Sequence, residues 1–158
     1  MQFIDQAPAY SVKSMSLASA VTAGRAKLTV DPGGARVAAC FRPELDAANE
    51  FDRDINDRLS FNALSTPEKL DLMIAELLPR FFRADKLALT GRDRWVVSFL
   101  IDGSVSRYIE CDADGVRPVS DPDQPPAVEL ETDIMTLMAI LRWIIAEFHL
   151  KKLDPEAL

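Results

Sequence analysis

The stretch from Thr132 to His149, TDIMTLMAILRWIIAEFH, limits what this chain can fold into more than any other part of it. Between Ile134 and Ala146 only Thr136 and Arg142 are not apolar, and neither proline nor glycine interrupts the run. Ile134, Leu137, Met138, Leu141, Ile145 and Phe148 recur at helical spacing. Met135, Ile140, Trp143 and Ile144 spread apolar area onto the other sides. A helix apolar nearly all round is buried in a core, faces lipid, or lines a cavity. A membrane span needs roughly 20 consecutive, mostly apolar residues. This run is shorter, carries Arg142 near its middle and is bounded by Asp133 and Glu147. The expectation is an internal helix over 133–149, capped by Thr132 or Asp133, with Lys151 and Lys152 suiting the negative end of its dipole.

Enclosing such a helix takes a sizeable core, and 158 residues supply one domain, 1–158, large enough to build it. The net charge of −7 provides no basic stripe to neutralise phosphates, which argues against nucleic acid and against charge-driven binding to an anionic membrane. Cys40 and Cys111 lack metal-type spacing and lie in apolar runs, so buried, reduced thiols are expected. The single histidine, His149, stands at the polar end of the helix run, which disfavours both a zinc site and histidine catalysis. MQFIDQAPAY has no basic region followed by an apolar core, and a cytoplasmic protein is expected.

The remaining segments read as an α+β fold, a mostly antiparallel sheet of hairpins packed against that helix and one or two others. Residues 11–24 are small and Ser/Ala-rich, a pattern open to helix or strand. KLTV (27–30) and ARVAACF (35–41) flank Asp31-Pro32-Gly33-Gly34, which predicts a hairpin at 27–41 within an N-terminal extension, 1–64. Phe51, Ile55 and Leu59 mark a short amphipathic helix. Ser65-Thr66-Pro67-Glu68 is a capping box with proline in the first turn, and Pro79 should kink or end the helix that follows. KLALTG (86–91) reads as a strand. RWVVSFLID (94–102) alternates, with Trp95, Val97, Phe99 and Ile101 on one side. Asp102-Gly103 and Asp114-Gly115 mark tight turns on either side of SVSRYIECD. A proline-stiffened loop at 121–126 precedes a last strand, AVELET (127–132).

Residues 65–158 resemble the sterol carrier protein 2-like family. The likeness rests on STPEKLDLMIAELL ahead of a sheet, RWVVSFLIDG with its early tryptophan, the hairpin through DADGVRPV, the strand-to-helix unit AVELETDIMTLMAIL, and KLDPEAL at 152–158. Members hold sterols, fatty acids or acyl-CoA in an apolar tunnel between sheet and helices. The resemblance therefore implies a non-catalytic lipid-binding module, or an accessory domain that kept the fold without the ligand. The family continues with a further helix and strand beyond this point, and the 27–41 segment is the expected source of the missing strands.

The residues expected to line a ligand site are Trp95, Phe99, Leu137, Met138, Leu141 and Ile145. At about 0.8 kcal/mol per buried methylene, a 14-carbon chain there gains roughly 11 kcal/mol before ordering costs. The same helix could instead close a solid core, or form a homodimer interface from Met135, Ile140 and Trp143, as an acidic adaptor or chaperone would. A pathway enzyme with a pocket of hydroxyls and backbone groups is the third reading. No motif for a cofactor or metal stands out. Asp52–Asp57 lacks the glycine and the final acid of a calcium loop, and the Asp112/Asp114 and Asp121/Asp123 pairs read as turn residues rather than catalytic carboxylates.

Overall fold

A computed structural model describes residues 13–41, 51–53 and 64–146. Its centre is a five-stranded sheet in the order β1-β5-β2-β3-β4, with β1 at Ala26–Val30, β2 at Arg94–Ile101, β3 at Val105–Asp112, β4 at Gly115–Val119 and β5 at Val128–Thr132. Every neighbouring pair is antiparallel except β2 and β5, which run parallel from Val97↔Val128 to Ile101↔Thr132. The chain reaches that parallel position by running out through β3 and β4 and returning along residues 120–127.

The inner face of the sheet follows from the alternation in β2. Trp95, Val97, Phe99 and Ile101 are all buried, and across from them lie Ile109 and Cys111 of β3, Val128 and Leu130 of β5, and Leu28 of β1. The apolar run forms helix α4, Ile134–Ala146, on this face. Asp133 caps it as expected, accepting from the Thr136 backbone N–H at 2.7 Å and the Thr136 hydroxyl at 2.8 Å. Residues 147–149 of the anticipated helix, including His149, fall outside the described residues.

The capping box at Ser65 forms as the sequence predicts: Ser65 accepts from the Glu68 N–H, and the Glu68 carboxylate accepts from the Ser65 N–H at 2.9 Å. Helix α2, Thr66–Leu72, is followed by a π-helical turn, Met73–Leu77, and a short α3, Leu78–Phe81. Pro79 explains the break. Its ring has no N–H to donate and would press on the carbonyl one turn back. In the widened turn Leu78 donates to Met73, five residues back, and Leu70, Met73, Ile74, Leu77 and Phe81 stay buried on one face. Arg107, on the inner face of β3, fastens α2 to the sheet through Asp71, with Nε 2.6 Å from a carboxylate oxygen.

Three local expectations are corrected. The hairpin at 27–41 has its turn, with Gly34 donating to the Asp31 carbonyl at 2.8 Å, but no return strand: Gly34–Cys40 is a 3-10 helix. β1 spends its ladder on β5 instead, and Gly34 sits where an added Cβ would lie 2.6 Å from the Ala127 carbonyl oxygen. KLALTG is likewise a 3-10 helix, Ala84–Thr90, ended by Gly91 in the left-handed region. Leu87 and Thr90, three apart, are buried together while Leu89 is 54% exposed, so the spacing of Leu87 and Leu89 that imitates a strand is incidental. The turn between β2 and β3 carries left-handed Asp102 and Gly103 but closes at Ile101↔Val105, one residue longer than a two-residue turn. The open 11–24 segment resolves to helix α1, Leu17–Thr22, with Ser16 as its cap. Residues 51–53 are helical with Phe51 fully buried; the rest of that expected helix lies outside the described residues.

The outer face of the sheet is polar. Glu110 accepts from Arg94 Nε at 2.6 Å and Arg117 Nη2 at 2.5 Å, Arg117 also reaches Asp112 at 2.5 Å, and Arg94 pairs with Asp123 on the returning loop. That loop therefore lies over the outer face, where Val96 is fully buried and its carbonyl accepts from the Ala127 N–H at 2.8 Å. The Arg117 guanidinium holds the Asp112 carboxyl below the ordinary carboxylate value of 3.8. A depressed folded-state value stabilises the fold above the unfolded value and is lost as pH falls through the folded one. Asp112→Asn is accordingly expected to lower the melting temperature at pH 7 and to converge with the parent protein near pH 2, as thermal melts across that range would read.

Candidate functional site

Between the inner face and α4 lies a cavity of about 80 Å³ with no polar lining surface. Its floor is Val97, Phe99, Ile109, Val128 and Leu130, its roof is Ile140, Leu141 and Ile144 of α4, and Val37, Phe41 and Leu78 close one flank. Leu17 of α1 and Leu28 and Val30 of β1 form the remaining side, where Val30 is 42% exposed and the cavity meets the surface. The arrangement follows from the sequence pattern. A sheet face of β-branched and aromatic residues meets a helix whose apolar side chains continue round to Ile140 and Ile144, and the two surfaces do not fill the space they bound.

Of the six residues expected at a ligand site, Phe99 and Leu141 line this cavity. Trp95, Leu137, Met138 and Ile145 are buried at 1% exposure or less, in closed core beside it. Trp95 sits at the sheet end, where its indole N–H donates to the Thr90 hydroxyl at 3.0 Å and the Arg92 guanidinium stacks 4.4 Å from its ring. Leu137, Met138 and Ile145 share the helical stripe of Leu141, and periodicity alone could not separate the part of that stripe against packed side chains from the part against empty space. The residues missed, Val97, Ile109, Val128 and Leu130, carry a strand signal but no ligand signal. What brings them together is their register across three strands, β2, β3 and β5. The interface set Met135, Ile140 and Trp143 does not form one surface: Ile140 is 1% exposed and faces the cavity, while Met135 is 43% exposed.

The titratable groups near this space offer little chemistry. Cys40 and Cys111 are buried free thiols; burial pushes Cys40 up to about 11 and Cys111 further up, so neither is a thiolate at neutral pH. Arg142, near the middle of α4, is turned away to Asp52, with Nε and Nη2 each 2.9 Å from a carboxylate oxygen, and to the Ser14 hydroxyl at 2.8 Å. Among the described residues no group of three or more His, Cys, Asp or Glu is placed to hold a metal ion. No described helix is long and apolar enough to cross a membrane. The chain matches no protein-family model, no curated protein and no solved structure.

Proposed function

We propose that this protein binds a hydrophobic small molecule, a fatty-acyl or sterol-like lipid, without performing chemistry on it, and that the guest enters beside α4. The observation that carries the reading is the wholly apolar cavity between sheet and helix, bordered on the β1 side by the exposed Val30. At about 80 Å³ it is smaller than ordinary ligand pockets, which run roughly 300–1,000 Å³. It takes a short apolar segment as it stands, and α4 must shift, or the rest of the guest must lie outside, for anything longer. A purely apolar lining discriminates by size alone and leaves any carboxylate or hydroxyl of the guest at the mouth, in water.

The likeness to sterol carrier proteins supports the same reading. It implies a helix, a strand, a hairpin, a crossing loop and a strand-helix unit, with a tunnel between sheet and helices. In this chain β1, from the N-terminal side, takes the edge position beside β5.

The test is native mass spectrometry of the purified protein with organic extraction, followed by titration with a fluorescent fatty acid. A bound lipid or saturable micromolar binding is expected. Val97→Phe should fill the cavity and reduce affinity for the probe at least about tenfold, while the overpacked core loses about 1–3 kcal/mol and remains folded. A parent protein that extracts empty and ignores the probe sinks the reading.

A further inference from the structure

We propose that the free edge of β1 is a self-association surface, on which a second copy of this chain adds its own β1 antiparallel across a two-fold axis at Leu28. The direction of the backbone groups comes first. Asp31 donates its N–H to the Ala127 carbonyl at 3.0 Å, and the register pairs Lys27 with Glu131 and Thr29 with Glu129. Antiparallel ladders alternate, so the odd residues of β1 face β5 and the N–H and C=O of Ala26, Leu28 and Val30 point outward. Among the described residues nothing hydrogen-bonds to the outward groups of Leu28 and Val30.

The other edge of the sheet is treated differently. The Asp112↔Gly115 pair closes the β3–β4 turn, which directs Val116 and Pro118 outward, and Pro118 has no N–H to offer. Proteins blunt edges in this way when pairing is unwanted, and β1 has no such device beyond Lys27. Val21 and Val30, two of the four exposed large apolar residues among those described, also lie at this side, on α1 and β1.

The occupant is argued from the sequence of the strand itself. Centred on Leu28, the pairing sets Leu28 against the partner's Leu28 and Ala26 against the partner's Val30 on the inner face. On the outer face Lys27 meets the partner's Thr29, and Arg25 falls opposite the partner's Asp31. No acidic residue occurs between Asp5 and Asp31, so no like-charged acids oppose each other, and the exposed Arg25 is brought opposite a carboxylate, Asp31, that also pairs with Arg92 of its own chain at 2.9 Å. The interface is isologous, as two-fold dimers require. Leu28 and Val30 also line the apolar cavity, so the partner's strand would extend its wall, but the pairing stands whether or not a lipid binds.

Sedimentation velocity of the full chain at increasing concentration should move from one chain to twice its 17.5 kDa mass. Arg25→Glu, at an exposed position, should weaken that association about tenfold at low salt. Register is read by cysteine pairs: mixing Lys27→Cys with Thr29→Cys chains and oxidising should give a covalent dimer, because this non-hydrogen-bonded pair brings Cα atoms within disulfide range. Either variant alone should cross-link poorly. A strict monomer at about 100 μM, a dimer indifferent to Arg25→Glu, or cross-linking as efficient in a single variant as in the mixture would each overturn the proposal.

Discussion

Trp95→Ala is expected to lower stability by about 3–5 kcal/mol, the range for emptying a large aromatic site that cannot collapse. For a chain of this length that corresponds to a fall of roughly 6–20 °C in melting temperature. Three features place the residue at the high end of such effects. It is 1% exposed, its indole N–H is satisfied by the buried Thr90 hydroxyl, and Arg92 covers its face. Thr90 also accepts from the Arg92 N–H at 3.3 Å and donates to the Leu87 carbonyl at 2.6 Å, so the tryptophan belongs to a polar cluster that holds the 3-10 segment against the start of β2. Unchanged calorimetric unfolding of the variant would place Trp95 outside the core.

The second large effect belongs to a residue without a side chain. A Cβ on Gly34 would lie 2.6 Å from the Ala127 carbonyl oxygen, 3.0 Å from an Asp31 carboxylate oxygen and 3.4 Å from a Val128 methyl. The nearest of these is backbone and part of the link between β1 and β5, since Asp31 donates to the same carbonyl. Gly34→Ala should cost about 1–3 kcal/mol, the usual range for forced overpacking. It should also raise amide exchange along β1 before the rest of the sheet is affected. Gly33→Ala makes a useful contrast: its φ of +80° strains any L residue, yet its added Cβ meets only the Arg36 side chain, 3.9 Å away. A variant at Gly34 no less stable than the parent would mean that the β1–β5 junction is soft.

Legibility in the sequence tracked how far apart the deciding partners lie. The capping box at Ser65 and the alternation in β2 are local patterns that form where the residues place them, and the oily run is helical over its described part, Ile134–Ala146. The 27–41 hairpin failed because its turn is local but its pairing is not: β1 finds β5, about a hundred residues away, and Gly34–Cys40 is left to coil. The strand expected at KLALTG (86–91) failed for a different reason, since six residues with two leucines fit a strand and a tight helix equally well, and burial of Thr90 beside Trp95 decides between them. The cavity lining was legible only in part. Phe99 and Leu141 could be picked from periodicity, whereas Val97, Ile109, Val128 and Leu130 become neighbours only once the sheet order is fixed. A void is a property of what two faces fail to fill, and no single stretch of residues encodes it.

The parallel seam between β2 and β5 also has a temporal side. Of the described strands β5 is the last to leave the ribosome, yet it is wedged between β1 and β2. Until residue 132 has been made, β1 lacks its described partner, and the β2–β3–β4 meander must wait without the strand that borders β2. Whatever shields those surfaces during synthesis, the sheet becomes whole only in a final insertion, and the oily helix follows at once to cover it.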